Sequence, residues 1–178
     1  MKPFIIYLAL FVLTVNVSSA QKFGYIDSDY ILKKMPEYKK AEKELEQLAQ
    51  KWHDEVDKMK KEFEKMQAEY KVEEILLTED MKKERLDTLS AREKAIKDYQ
   101  KKMFGFEGMI FLKRQELMKP VQDLVFEAVE KTAKKHKLQI VFDKSSDLVM
   151  IYTNPIHDYT DHVLEALGLG DPNDTVQK

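Results

Sequence analysis

Pro36 and His136 enclose about a hundred residues interrupted by one proline, Pro120, and short strand-like segments flank that stretch on both sides. If Thr78 is the turn, Glu37 to Leu77 and Glu79 to Lys119 are arms of equal length, and Pro120 returns level with Pro36. At 1.5 Å per residue each arm reaches roughly 60 Å, far beyond a globular domain of this size. The pattern predicts an α+β chain: a small β body with a long α-helical coiled-coil hairpin inserted into it.

The outgoing arm carries Tyr38, Ala41, Leu45, Leu48, Trp52, Val56, Met59, Phe63, Met66 and Tyr70 in alternating steps of three and four. This is a coiled-coil seam with one local irregularity near Trp52. Leu86, Leu89, Ile96, Tyr99, Met103, Phe106, Ile110 and Leu117 keep the same spacing on the way back. Outside the seam, acid-before-base pairs four apart, such as Asp54/Lys58, Glu93/Lys97 and Glu130/Lys134, favour helix by about 0.2–0.5 kcal/mol each. These charges read as a solvated face.

The chain opens with Lys2, an apolar run from Phe4 to Val15 and then Ser18-Ser19-Ala20. That order predicts a secretory signal cleaved after Ala20, and the run is short for a membrane span, which needs about 20 apolar residues. Cysteine is absent, so there is no disulfide framework, thiol nucleophile or thiolate metal site. Without Lys2 the mature chain has 29 bases against 32 acids. Near-balanced charge gives no reason to expect a nucleic-acid partner and leaves contact with a membrane surface open.

Phe23, Tyr25 and Ile26 suit a strand, and Asp27 or Ser28 caps a short turn through Ile31 before the arm begins. After Pro120 a helix continues to about His136. Leu138–Phe142 and Leu148–Tyr152 then read as two strands around a polar turn, apolar on both faces. A last helix, capped near Asp158 or Thr160, runs through Val163, Leu164 and Leu167 to Gly168. The organisation expected is a leader over 1–20, body over 21–35 and 120–170, arm over 36–119 and a disordered tail over 171–178. So few elements cannot cover a sheet's faces and edges, which predicts symmetric self-association. The body contact is placed on Phe23, Tyr25, Ile26, Ile140, Phe142, Val149 and Ile151.

Phe23-Gly24-Tyr25-Ile26-Asp27 leads into a helix, and Leu117-Met118-Lys119-Pro120-Val121 stands at the foot of the return arm. Leu138-Gln139-Ile140-Val141-Phe142-Asp143, Ile151-Tyr152-Thr153-Asn154-Pro155 and Asp158 to Leu167 follow. In this order, behind a signal peptide, they make the chain similar to the Skp/OmpH family of periplasmic chaperones over nearly its whole mature length. The C-terminal block is the specific part. The resemblance implies a homotrimer with a shared β-barrel body and helical tentacles around a cavity. It further implies a periplasmic holdase that encloses unfolded outer-membrane β-barrel proteins without ATP, with no active site, cofactor or metal.

Folding at Thr78 places Trp52 opposite Phe104, with Phe106 and Phe111 nearby and Gly105 and Gly108 in the same turns. Two glycines in a helix cost roughly 1 kcal/mol each, so this region is either a tight packing point, a kink or a client-contact patch. Phe104, Phe106 and Phe111 cannot all lie on one narrow seam. Met59, Phe63, Met66 and Tyr70 offer the soft apolar surface of promiscuous binders, or simply hold the arms together. His157 and His162 lie five apart, a spacing that does not align two ligands on a helix, and no catalytic motif occurs. The competing reading is a structural or adaptor coiled coil of the cell envelope, with a seam satisfied by itself.

Overall fold

The structure, a computed structural model, describes residues 21–146 and 149–170. The expected leader and tail lie outside them. Two compact units divide the chain, one from Met1–Ser28 with Ala128–Lys178 and the other Asp29–Glu127. Chain order is β1 (Phe23–Ile26), α1 (Ser28–Lys34), α2 (Pro36–Glu73), α3 (Glu79–Phe104), α4 (Met109–His136), β2 (Ile140–Asp143) and α5 (Thr160–Ala166). Helix dominates, and the sheet has two strands.

In the second unit α2 and α3 form an antiparallel hairpin. Pro36 opens α2 at its first turn, where a missing N–H costs nothing. Glu74–Leu76 tightens into a 3₁₀ turn, and the Thr78 side chain caps α3 by accepting from the Met81 N–H at 3.3 Å. Three cross-hairpin pairs fix the register: Trp52 with Phe104, Glu62 with Arg92 at 3.7 Å and Glu73 with Arg85 at 3.6 Å. Each pair is centred within one residue of Thr78, so the turn lies where the arm lengths put it. Ala41, Leu45 and Val56 on α2 and Ile96 on α3 are buried. Glu93–Lys97 and Glu130–Lys134 close as ion pairs on exposed helix faces.

The return arm is not one helix. α3 ends at Phe104, four residues intervene, and α4 then runs unbroken through Pro120 to His136. Glu107 adopts positive φ, and a Cβ on Gly105 would lie 2.3 Å from the Lys101 carbonyl oxygen. The two glycines therefore serve a break, in which backbone approaches backbone too closely for a side chain.

In the first unit β1 pairs with β2 in parallel, Phe23 beside Ile140 and Tyr25 beside Phe142. On its other edge Tyr25 bridges to Asp158, and its carbonyl accepts the Tyr159 N–H at 2.9 Å. The second strand expected over 148–152 does not form: 149–152 is irregular, and residues 147 and 148 lie outside those described. Burial on both faces also fails. Tyr25 and Ile26 are buried with Leu138, Val163 and Leu164, whereas Phe23, Ile140, Phe142, Val149 and Ile151 are exposed. The reason is coverage: two short strands and the few elements one chain sets beside them do not enclose the sheet, so Tyr25 and Ile26 are covered while Phe23, Ile140 and Phe142 stay open.

A polar knot closes the sheet's end. The Asp143 carboxylate accepts the Ser28 N–H at 3.1 Å, the Ser28 hydroxyl at 2.5 Å and the Ser145 N–H at 3.0 Å. The first of these satisfies an otherwise unpaired donor at the start of α1 from more than a hundred residues away. Asp27 holds Lys144 at 3.2 Å, and its N–H reaches the Thr160 hydroxyl. Hydrogen bonds to a charged acceptor contribute about 1.5–3 kcal/mol, so Asp143→Ala is expected to lower stability by about 2 kcal/mol in chemical denaturation. An unchanged denaturation midpoint would contradict that role.

At the other end, Gly168 takes positive φ after α5. Its N–H and that of Leu169 bond back to the Glu165 and Leu164 carbonyls at 3.0 and 2.8 Å. This double closure is the stop that Gly168 promised in the sequence.

Candidate functional surfaces

The hairpin holds its large apolar side chains half-open. Trp52, Met59, Phe63, Met66, Tyr70 and Phe104 are each partly exposed, on helices whose surface is rich in charge. The Trp52 and Phe104 rings meet edge to face with centroids 6.4 Å apart, and His53 stacks on Phe104 at 4.3 Å. The expected opposition of Trp52 and Phe104 is thus seen, with His53 as an unforeseen third member. Tyr70 donates to Glu74 Oε1 at 3.4 Å, and lost hydration together with the Glu74 charge raises its pKa.

Phe106 and Phe111 part from this group. Phe106, expected on the return seam, lies in the break between α3 and α4 and is 97% exposed, because no helical turn directs it toward α2. Phe111 opens onto solvent from the first turn of α4. Sequence reasoning overlooked the hairpin's end, where Val72, Ile75 and Leu76 are strongly exposed. The signal was available: three consecutive apolar residues, Ile75-Leu76-Leu77, fall out of step with the seam.

In the sheet unit, Phe23, Tyr25 and Phe142 line an apolar cleft of about 450 Å³ with Val149, Tyr152 and His157. The His157 ring lies 4.8 Å from Phe23. His162 turns elsewhere, toward His136 at 4.5 Å between ring centroids, so the two histidines weighed as a metal pair do not converge. Tyr25 and Ile26, both expected in the self-association surface, are instead buried within their own chain. They are neighbours on β1 and face opposite sides of the strand. Ile151 is 98% exposed. Among the described residues no helix is long and apolar enough to cross a membrane.

The comparisons agree with this architecture. A protein of Aquifex aeolicus (strain VF5), itself uncharacterized, is 27% identical over 161 residues, covering 90% of this chain and 94% of its own length. A crystal structure from Caulobacter crescentus CB15, described as a candidate OmpH-like outer membrane chaperone, superposes with a TM-score of 0.69 at 16% identity. That match covers 84% of this chain and 85% of the other, and it bears on the fold. The profile of the family described as Outer membrane protein (OmpH-like) matches residues 22–167. By the extent of that match, the chain belongs to the OmpH-like family.

Proposed function

We propose that the protein is an ATP-independent periplasmic holdase that encloses unfolded outer-membrane β-barrel proteins between helical arms and keeps them from aggregating. The observation that carries the reading is the half-open row Met59, Phe63, Met66 and Tyr70, together with exposed Phe106 and Phe111, on a hairpin rich in charge. A seam built only to join two helices would bury these side chains; methionine and aromatic surface left open suits many weak, unselective contacts. Confinement turns such contacts into retention, since a segment that lets go meets another arm residue before it can escape. Self-association through the exposed sheet face, as a homotrimer by family resemblance, supplies the several arms that enclosure requires. OmpH-like membership supports the chaperone role.

A spacer or adaptor role in the envelope is the second reading, favoured by the Trp52–Phe104 contact and the two cross-hairpin ion pairs. Dilution of a urea-denatured outer-membrane barrel protein separates the two. With the chaperone present, light scattering is expected to fall severalfold, and Phe106→Asp with Phe111→Asp to restore most of it. Equal scattering with and without the protein would refute the holdase and leave the spacer.

A further inference from the structure

The C-terminal end of α4 and the start of α5 bring His136, Tyr159 and His162 into one ring cluster. The imidazole centroids are 4.5 Å apart, and the Tyr159 ring lies 5.1 Å from His136 and 5.6 Å from His162. His136 Nε2 and His162 Nδ1 are buried without a hydrogen-bond partner. A polar pocket of about 250 Å³ adjoins them, completed by Lys131, Thr132, Lys135 and Glu165. The lysines make this a poor seat for a metal cation. A proton is another matter, because an unperturbed imidazole accepts one near pH 6.5.

The charges around the pair oppose that proton. Lys135 on the same helix, Lys22 just before β1 and His162 on α5 all disfavour a charged His136, while Glu165 favours it. Burial acts most strongly, followed by His162, and together they lower the His136 pKa. The cluster also stands at a fastening. The Tyr159 N–H bonds the Tyr25 carbonyl at 2.9 Å, its ring lies against Gly24, and the Thr132 hydroxyl reaches the His162 carbonyl at 3.4 Å.

We propose that the His136–His162 pair is an acid-sensitive latch: protonation within this close, half-buried imidazole pair loosens α5 and Tyr159 from β1 and opens the sheet unit. Well above about pH 6.5 His136 is neutral folded or unfolded, and the latch is at full strength. As pH falls through that value the unfolded chain takes up its proton first, because the folded His136 binds one less readily. Stability therefore declines as pH falls below about 6.5 and levels off under the lowered folded value.

Hydrogen exchange across residues 158–167 of the full chain, corrected for intrinsic rates, tests this at about pH 7.5 and about pH 5.5. In the wild type, protection should drop severalfold on acidification, the direction that the lowered His136 pKa sets. His136→Gln should lose much less, and His53→Gln, altered in the other unit, should behave as wild type. Proton NMR titration of His136 in the wild type provides a reading that needs no variant to fold. Protection independent of pH, an equal loss in His136→Gln, or a His136 midpoint at or above about 6.5 would each overturn the latch.

Discussion

Gly24→Val is expected to unfold the sheet unit. A Cβ on Gly24 would lie 2.4 Å from Tyr159 Cδ2 and 2.7 Å from Cε2, with Leu138 Cδ1 at 3.2 Å behind. The tyrosine cannot step aside cheaply, since its N–H is bonded to the Tyr25 carbonyl and its ring is wedged beside His136 and His162. Leu138 is itself buried. Overpacking a well-filled site typically costs about 1–3 kcal/mol, and the γ-methyls of valine aggravate a contact already closed to a bare Cβ, so a loss of about 3 kcal/mol or more is expected. Hydrogen exchange over residues 158–167 will register it better than far-ultraviolet circular dichroism, because α2 and α3, which hold 38 and 26 helical residues, lie in the other unit. Wild-type protection in the Gly24→Val variant would show that Tyr159 can relocate freely. Gly168→Ala makes a useful contrast: open space surrounds that position, so its cost is confined to positive φ, about 1 kcal/mol.

What the sequence disclosed and what it withheld differ by the range of the interaction. Helix periodicity, the Thr78 cap and the Gly168 stop are local, and each lies where spacing put it. Arm lengths located the turn, and through it the Trp52–Phe104 contact. The break at Gly105–Gly108 was ambiguous because a glycine pair reads alike as a packing point or an interruption; the choice depends on the backbone path. The body was less legible. Alternating and continuous apolar residues in Leu148–Tyr152 promise a buried strand, yet burial needs a second layer that one chain does not supply, and Val149 and Ile151 remain in solvent. Two contacts with no sequence signature, Ser28 with Asp143 and His136 with His162, join residues that only the fold brings together.

Charging the open sheet face should abolish the proposed self-association. Phe23, Ile140 and Phe142 share one face of the parallel pair by register, and all three are exposed, with Val149 lining the same cleft as Phe23 and Phe142. Covering such a side chain contributes about 1.5–3 kcal/mol, so a face of this composition left in water is a strong drive toward self-association. Ile140→Lys with Phe142→Lys removes two of these contributions from each subunit and sets like charges where copies would meet. At about 3–6 kcal/mol, association should weaken by roughly 10²- to 10⁴-fold, since each 1.4 kcal/mol is a factor of ten. Light scattering coupled to size exclusion should then find the mass of one chain where the wild type gives a multiple. Residues 140 and 142 lie outside the hairpin, whose apolar row is left unaltered, so loss of client protection in this variant would trace to loss of the enclosure rather than of any contact residue. An unchanged mass would remove the sheet face from the assembly. A single-chain species that still suppressed client aggregation would instead show that one hairpin suffices, against the confinement by which weak contacts become retention.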